Sequence, residues 1–103
     1  MAQEPGILTG ITSYYHNKFE GKRTANGEIF YNDSLTAAHK ELPFGTIVTV
    51  THLKNKKTVT VRINDRLPPN STRAIDLSQV AARELEMIKI GLAKVSIEVV
   101  DGY

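Results

Sequence analysis

Alternation of apolar and polar residues predicts four β-strands in this 103-residue chain. Between residues 47 and 63, apolar residues alternate with threonines on both sides of the polar run LKNKK, which predicts an antiparallel hairpin with one buried face. The tail AKVSIEVVD repeats the alternation. The opening stretch GILTGITSYY predicts a further strand, in which glycine permits a bulge or a close backbone approach.

One helix is predicted in SQVAARELEMIKIG. Ala81, Leu85 and Ile88 recur at the i, i+4, i+7 spacing of one helix face, Ser78 is a favoured N-cap residue, and Gly91 predicts the end. Short strands with a helix before the last one favour a small barrel over a doubly wound sheet.

The segment from residue 18 to 45 has little periodicity. Asn26-Gly27 predicts a turn, while Phe19, Phe30 and Phe44 argue against disorder. We therefore expect an ordered loop, and ordered loops often carry functional residues.

Composition narrows the function classes. A net charge of +2 with scattered lysines does not favour nucleic-acid binding. The absence of cysteine excludes disulfides and thiolate metal sites, and no histidine spacing predicts zinc. No stretch reaches the ~20 apolar residues of a membrane span, and the N-terminus MAQEPG lacks the pattern of a signal peptide.

Two aspartates flank a polar loop in INDRLPPNSTRAIDLS. Asp65 ends a predicted strand beside Arg66, where partial desolvation would suit it to general-acid catalysis; alternatively it caps the turn by accepting backbone N–H bonds. Asp76 precedes the helix, where a carboxylate is favoured by the helix dipole.

The three histidines occupy different contexts. His52 lies within the hairpin and is interpreted as a surface strand position. His16 follows the first strand at a loop rim. His39 follows two alanines whose small size permits burial of its imidazole, so it is either a structural or a functional histidine.

Several blocks together resemble the rare lipoprotein A (RlpA) family. They are SYYHNKFEGKRTANGE, LTAAHKELPFGT, VRINDR and RAIDLSQVAARELEM, in the family's order and spacing, over roughly residues 8 to 100. The resemblance implies a mainly β, six-stranded double-psi β-barrel with one or two short helices, as in expansins. It divides the chain into a disordered segment 1–6 and a barrel domain 7–103.

The resemblance also implies a function. It predicts a peptidoglycan lytic transglycosylase that cleaves between MurNAc and GlcNAc with 1,6-anhydroMurNAc formation, on peptide-poor glycan strands. The expected location is the bacterial cell envelope, periplasmic or extracellular, with no signal or lipid anchor in this chain. We expect a monomer that requires no metal or organic cofactor and binds no nucleic acid.

Carried over by position, the resemblance assigns the catalytic aspartate to Asp65 and its partner histidine to His39. Glu28 and Asp76 are then expected to orient sugar hydroxyls in the same groove. Further groove contacts are expected from Thr24, Asn26 and Tyr15.

Leu67 stands where the family usually has glycine, which predicts a narrowed or reshaped groove. The rival reading is therefore a non-catalytic, expansin-like module that binds wall polysaccharide without cutting it. A protein-interaction barrel is not favoured by the sequence, which shows no obvious exposed apolar stripe.

Overall fold

The computed structural model describes residues 7–101, and for Ile7 and Asp101 it describes the backbone alone. The predicted disordered segment 1–6 lies outside the described residues. Six strands and one helix follow in the order β1 (Ile7–Tyr14), β2 (Thr36–His39), β3 (Ile47–His52), β4 (Thr58–Arg66), β5 (Ile75–Leu77), α1 (Gln79–Glu84) and β6 (Ala93–Asp101). A 3₁₀ turn, Asn17–Phe19, follows β1.

The strands close into one barrel in the order β1-β5-β2-β4-β3-β6. The β1/β5 and β2/β4 pairs are parallel and the other four are antiparallel. The predicted mainly β barrel of six strands is confirmed.

The central hairpin forms because its alternating residues meet across β3 and β4. Val48 pairs with Val61 and Val50 with Val59, so the apolar side chains of both strands face the barrel interior. His52 continues this face two residues after Val50, and it is buried with only 4% of its surface exposed. The interpretation of His52 as a surface residue is therefore wrong: the strand period of two outweighs the polarity of its ring.

Strands β2 and β5 have no pattern that predicts them. All four residues of β2 are buried, and β5 has only three residues. Each strand is held on both sides by neighbours that are distant in sequence, since β2 lies between β4 and β5. In β2, burial on both faces removes the alternation on which strand prediction depends, and β5 is too short to show a period.

Gly10 in β1 confirms the predicted close approach. A Cβ atom built at this position would lie 2.5 Å from the Cβ of Ala74. Only glycine lets the segment before β5 pack this closely, and the Ala74 N–H donates to the Ile11 carbonyl at 2.8 Å.

The helix is shorter than predicted. It ends at Glu84, because Glu86 adopts a positive φ of 54°. The Glu86 N–H then donates to the Arg83 carbonyl and the Met87 N–H to the Ala82 carbonyl, the paired bonds of a Schellman motif. Gly91 therefore does not end the helix, and Ile88 lies beyond it on the surface.

Ser78 stands at the predicted N-cap position, but its side chain makes no capping hydrogen bond. Instead, Asn32 of the long loop caps the helix. Its Oδ1 accepts the Gln79 N–H at 2.9 Å, and its carbonyl accepts the Val80 N–H at 3.0 Å. The loop and the helix are thus fixed to one another.

An apolar depression lies on the barrel surface, contrary to the sequence-based expectation of no such feature. It is lined by Leu53, Ile90 and Leu92, with 37%, 61% and 56% of their surfaces exposed.

Among the described residues, no helix has the length and apolar character needed to cross a membrane.

Candidate active site

A cleft of about 630 Å³ lies where the ends of β1, β4 and β5 meet around β2. The strand register explains its position. Ala38 of β2 pairs with Asp65 on one side and with Asp76 on the other, so the two aspartates flank one small residue. The cleft is lined by Ser13, Tyr14, Tyr15, His16, Lys18, Phe19, Arg23, Ala38, Asp65, Arg66, Leu67, Pro68, Arg73 and Asp76.

The Asp65 carboxylate is held by three hydrogen-bond donors. Oδ1 accepts the backbone N–H of Ala25 at 2.8 Å and that of Arg66 at 2.9 Å. Oδ2 accepts the Tyr15 hydroxyl at 2.5 Å. Because two donors already point at Oδ1, Oδ2 is the oxygen with a lone pair free toward the cleft.

Tyr15 is fixed by aromatic packing. Its ring stacks on Phe30 at a centroid distance of 4.1 Å and meets the edge of Phe19 at 5.6 Å. Burial, and then the hydrogen bond to Asp65, raise the pKa of the Tyr15 phenol above its ordinary value. The hydroxyl therefore stays protonated and acts as a donor. Of the predicted groove contacts, Tyr15 lies in the cleft and touches Asp65.

Glu28 lies outside the cleft lining and is occupied by other partners. Its carboxylate accepts hydrogen bonds from both terminal nitrogens of Arg62, at 2.8 and 3.0 Å, and from the Asn64 amide nitrogen at 3.1 Å. These bonds lower the pKa of Glu28 to about 2. Since Arg62 and Asn64 belong to β4, Glu28 anchors its own loop to the strand that carries Asp65.

Thr24 and Asn26 also lie outside the cleft lining and act within that loop. The Thr24 hydroxyl donates to Asn26 Oδ1 at 2.6 Å, and the same oxygen accepts the Glu28 N–H at 3.1 Å. Gly27, with a φ of 94°, completes the predicted turn. The loop held in this way presents the Ala25 N–H to Asp65.

Asp76 lines the cleft, but both of its oxygens are already bonded. Arg73 donates Nε to Oδ1 at 2.6 Å and Nη2 to Oδ2 at 3.0 Å, and the Ser13 hydroxyl donates to Oδ1 at 2.6 Å. The carboxylate thus joins β1 to the segment before β5. Its expected contribution to the helix N-terminus is replaced by this ion pair.

His39 is buried, with 6% of its surface exposed, and is not a cleft-lining residue. Its Nδ1 accepts the N–H groups of Glu41 and Leu42 at 3.0 and 3.1 Å, which fixes the turn after β2. Burial, and to a smaller extent the charges of Arg66 and Lys40, lower the pKa of the imidazole. Within residues 7–101 it makes no hydrogen bond to Asp65.

Leu67 does not fill the cleft. Its side chain is packed into the wall with 6% of its surface exposed, and its N–H donates to the His39 carbonyl at 3.3 Å. Leu67 and Pro68 form part of the wall of the 630 Å³ cleft, and the narrowing relative to glycine-bearing relatives stays a prediction.

Arg66 and Phe44 form a feature that the sequence reasoning missed. The Arg66 guanidinium carbon lies 4.2 Å from the centroid of the Phe44 ring. The position of Arg66 directly after Asp65 could have suggested a role in the site, but nothing in the sequence pairs Arg66 with an aromatic residue 22 positions earlier.

No group of three or more potential metal ligands occurs among His, Asp and Glu of the described part of the chain.

Solved structures share this barrel. The Streptomyces papain inhibitor matches with a TM-score of 0.73 and 23% identity, over 91% of this chain and 94% of that one. An expansin variant from Clavibacter michiganensis, solved with cellohexaose, matches with a TM-score of 0.69 and 20% identity, over 91% of this chain and 50% of that one. Together with the closed six-strand topology, these neighbours confirm the predicted double-psi β-barrel.

Curated relatives share much more sequence. The probable endolytic peptidoglycan transglycosylase RlpA of Treponema pallidum is 52% identical over 100 residues, which cover 97% of this chain and 31% of the relative. The endolytic peptidoglycan transglycosylase RlpA of Haemophilus influenzae is 48% identical over 92 residues, which cover 89% and 32%. The chain thus spans about a third of the length of these relatives.

The predicted resemblance to RlpA proteins is confirmed by these relatives. The family model for lytic transglycolase matches residues 7–97 of this chain, a range that contains every strand of the barrel at least in part. The chain therefore belongs to the lytic transglycolase family.

Proposed function

We propose that this barrel is a peptidoglycan lytic transglycosylase that works in the bacterial cell envelope. The observation that carries the proposal is the presence of one available carboxyl group in the cleft. Asp65 and Asp76 are the carboxylates among the cleft-lining residues, and Asp76 is paired with Arg73 through both oxygens. A water-using glycosidase normally needs two carboxyl groups, whereas intramolecular attack by a sugar hydroxyl needs one acid/base.

The names of the relatives support this reaction class. Both proteins described above are named endolytic peptidoglycan transglycosylases, at 52% and 48% identity. We extend that activity to this chain, with cleavage between MurNAc and GlcNAc on peptide-poor strands.

In the proposed mechanism Asp65 carries the proton on Oδ2, since Oδ1 is occupied by two backbone donors. The carboxyl group protonates the glycosidic oxygen as its bond to MurNAc C1 breaks. The C6 hydroxyl of the same MurNAc attacks C1, and its proton passes to the Asp65 carboxylate. The products are a 1,6-anhydroMurNAc end and a GlcNAc end with a free 4-hydroxyl, and Asp65 returns to its protonated state.

Tyr15 orients the reacting oxygen. Its hydroxyl donates to Oδ2, and its ring is held between Phe30 and Phe19. When the carboxyl group has given up its proton, this donor stabilises the carboxylate that remains. A rigid donor requires no rearrangement during the reaction, which is the advantage of a preorganised site.

His39 acts as a positioning residue in this proposal. Its imidazole fixes the turn after β2, and its carbonyl accepts the Leu67 N–H. It thereby holds the chain that leaves β4 just after Asp65. Glu28 also helps to position Asp65, because its bonds to Arg62 hold its loop against β4.

The test is mass spectrometry of soluble products released from peptidoglycan, both intact and amidase-treated, by the wild type and Asp65→Asn. We expect products ending in 1,6-anhydroMurNAc, reduced in the variant by roughly 10²–10⁴-fold, the usual range for an acid/base residue. Asp33→Asn removes an exposed carboxylate away from the cleft and serves as the matched control.

Other outcomes separate the alternatives. Products with reducing MurNAc ends would indicate hydrolysis and would require a second catalytic carboxylate. The absence of products, with glycan still retained in a pull-down, would replace the enzyme by a wall-binding module of the expansin kind.

A further inference from the structure

Unlike Arg62 and Arg73, Arg66 has no carboxylate partner in the described part of the chain. Arg23, which also lines the cleft, likewise forms no ion pair there, but its guanidinium donates to the Gly27 carbonyl at 2.8 Å. Arg62 donates twice to Glu28, and Arg73 donates twice to Asp76. Within residues 7–101, the Arg66 guanidinium forms no ion pair, even with the neighbouring Asp65. A permanent positive charge is therefore left uncompensated beside the proposed acid/base.

The unpaired guanidinium is nevertheless held in place. It lies over the Phe44 ring, and its Nη1 approaches the carbonyls of His39 and Asp65 at 3.4 Å, the limit of a hydrogen bond. Nε and Nη2 have no protein acceptor in the described part of the chain. A stacked guanidinium with free N–H groups is preorganised to bind a planar anion through two hydrogen bonds.

The charge of the cleft favours such a ligand. Four cationic side chains line the cleft: Lys18, Arg23, Arg66 and Arg73. The Asp76 carboxylate neutralises Arg73, so Asp65 is the remaining negative charge against three cations. When Asp65 is protonated for catalysis, the positive excess increases further. The cleft therefore favours a negatively charged glycan over a neutral one.

We propose that Arg66 binds the lactyl carboxylate of the MurNAc residue that is cleaved. This inference rests on the proposed function. The lactyl group is attached at O3 of the ring whose C1 reacts, so it lies near the acid that protonates the leaving oxygen. In an intact strand this carboxyl group forms an amide with the stem peptide, and it becomes a free carboxylate when the peptide is removed.

Arg66 is then the residue that distinguishes peptide-free strands. A free carboxylate accepts two charge-assisted hydrogen bonds from the guanidinium, whereas an amide offers one neutral oxygen and no charge. Discrimination of this kind comes from the loss of an ionic pair. The cleft needs no steric barrier against the peptide.

The experiment compares two substrates that differ at this group. Peptide-free glycan strands are used as they are, or after carbodiimide coupling of their lactyl carboxyl groups to methylamine. For the wild type we expect kcat/KM to fall on the order of 10- to 100-fold on amidation, the equivalent of one charged hydrogen-bonded pair. Arg66→Gln should cleave both substrates at a similar low rate, and Arg66→Lys should retain part of the preference.

Arg83→Gln is the matched control, because it removes the same charge from an exposed position on α1 outside the cleft. It should keep the wild-type preference. A full preference in Arg66→Gln, with a normal thermal melt, would overturn the proposal. So would a wild type that cleaves the two substrates equally.

A binding measurement separates this proposal from the activity itself. Calorimetric titration of the Asp65→Asn chain, which should not consume its ligand, with free and amidated strands should show tighter binding of the free carboxylate. Adding Arg66→Gln should remove that difference. If the wild type formed no anhydro product while this difference persisted, the enzyme proposal would fail and the carboxylate site would stand.

Discussion

Around Asp65 the two carboxylate oxygens have different surroundings. Oδ1 is fixed by two backbone N–H groups, whereas Oδ2 meets a single side-chain hydroxyl and the open cleft. In the proposed mechanism this asymmetry gives Oδ1 a structural role and gives Oδ2 the proton transfer. It also reconciles the two readings of Asp65 from the sequence, because the same residue accepts backbone bonds and lines the cleft.

His39 can be tested through the atom that it uses. An asparagine side chain places its Oδ1 near the position of the histidine Nδ1 and can accept the same two N–H bonds. We therefore expect His39→Asn to keep kcat/KM within about tenfold of the wild type. His39→Leu, which lacks the acceptor, should lose on the order of 10²-fold, the effect of a misplaced catalytic group.

The measurement is product formation on peptide-free glycan, with circular dichroism to confirm that both variants fold. His52 offers the control, since His52→Asn changes another buried histidine whose Nδ1 accepts one backbone N–H outside the cleft. Equal loss in His39→Asn and His39→Leu would show that the imidazole acts through Nε2 instead.

Residue roles were harder to predict than residue positions. The sequence placed Asp65 and Asp76 near one groove, and both line the cleft. It could not show that Asp76 is engaged by Arg73 and Ser13, or that Glu28 is engaged by Arg62, 34 positions away. Such partners are set by the closed barrel, and a local pattern carries no information about them.

At the scale of elements, the helix depends on a residue outside it. Asn32 caps α1 with both its side chain and its carbonyl, while the Ser78 hydroxyl is buried and has no hydrogen-bond partner within residues 7–101. We expect Asn32→Ala to lower the free energy of unfolding by about 1 kcal/mol, the usual cost of a lost N-cap. Ser78→Ala should change it by less than about 0.5 kcal/mol.

Urea denaturation of the two variants beside the wild type measures this difference. A larger loss in Ser78→Ala than in Asn32→Ala would contradict the assignment of the cap. The sequence pointed to Ser78 because local rules consider only the residue next to the helix.

Four strands could be predicted from alternation and two could not. β1, β3, β4 and β6 have six to nine residues each, which is enough to show a period of two. β2 and β5 have four and three residues and derive their hydrogen bonds from neighbours on both sides. The pairing of β2 with β4 and β5 places Asp65 and Asp76 on either side of Ala38. The site therefore depends on the two strands that are hardest to predict from local sequence.

At the scale of the molecule, closure of the barrel joins segments that lie far apart in sequence. The interior is filled by buried apolar residues, mostly from the strands, with Ala81 and Ala82 from the helix and Leu85 and Met87 from the turn after it. The resemblance to RlpA proteins supplied this topology, because family blocks in a fixed order encode long-range pairing that periodicity does not. The cleft forms only when β1, β2, β4 and β5 are all in place, so stability and site geometry are linked.

The ion pair of Glu28 and Arg62 should make that link depend on pH. The pKa of Glu28 lies near 2 in the folded chain, below its ordinary value of 4.5. A depressed carboxyl pKa stabilises the fold fully above pH 4.5, and this contribution is lost as the pH falls toward 2. Both side chains are about 40% exposed, so we expect Glu28→Gln to cost about 0.5–1 kcal/mol at pH 7.

The difference in unfolding free energy between the wild type and Glu28→Gln should therefore shrink between pH 7 and pH 3, as measured by urea denaturation at each pH. Glu86→Gln removes the more exposed Lys57–Glu86 pair, whose atoms are 3.4 Å apart, and should have little effect at either pH. A constant difference for Glu28→Gln across this range would mean that the amide replaces the carboxylate as an acceptor. The loop that presents the Ala25 N–H to Asp65 would then be held by hydrogen-bond geometry alone, without a contribution from charge.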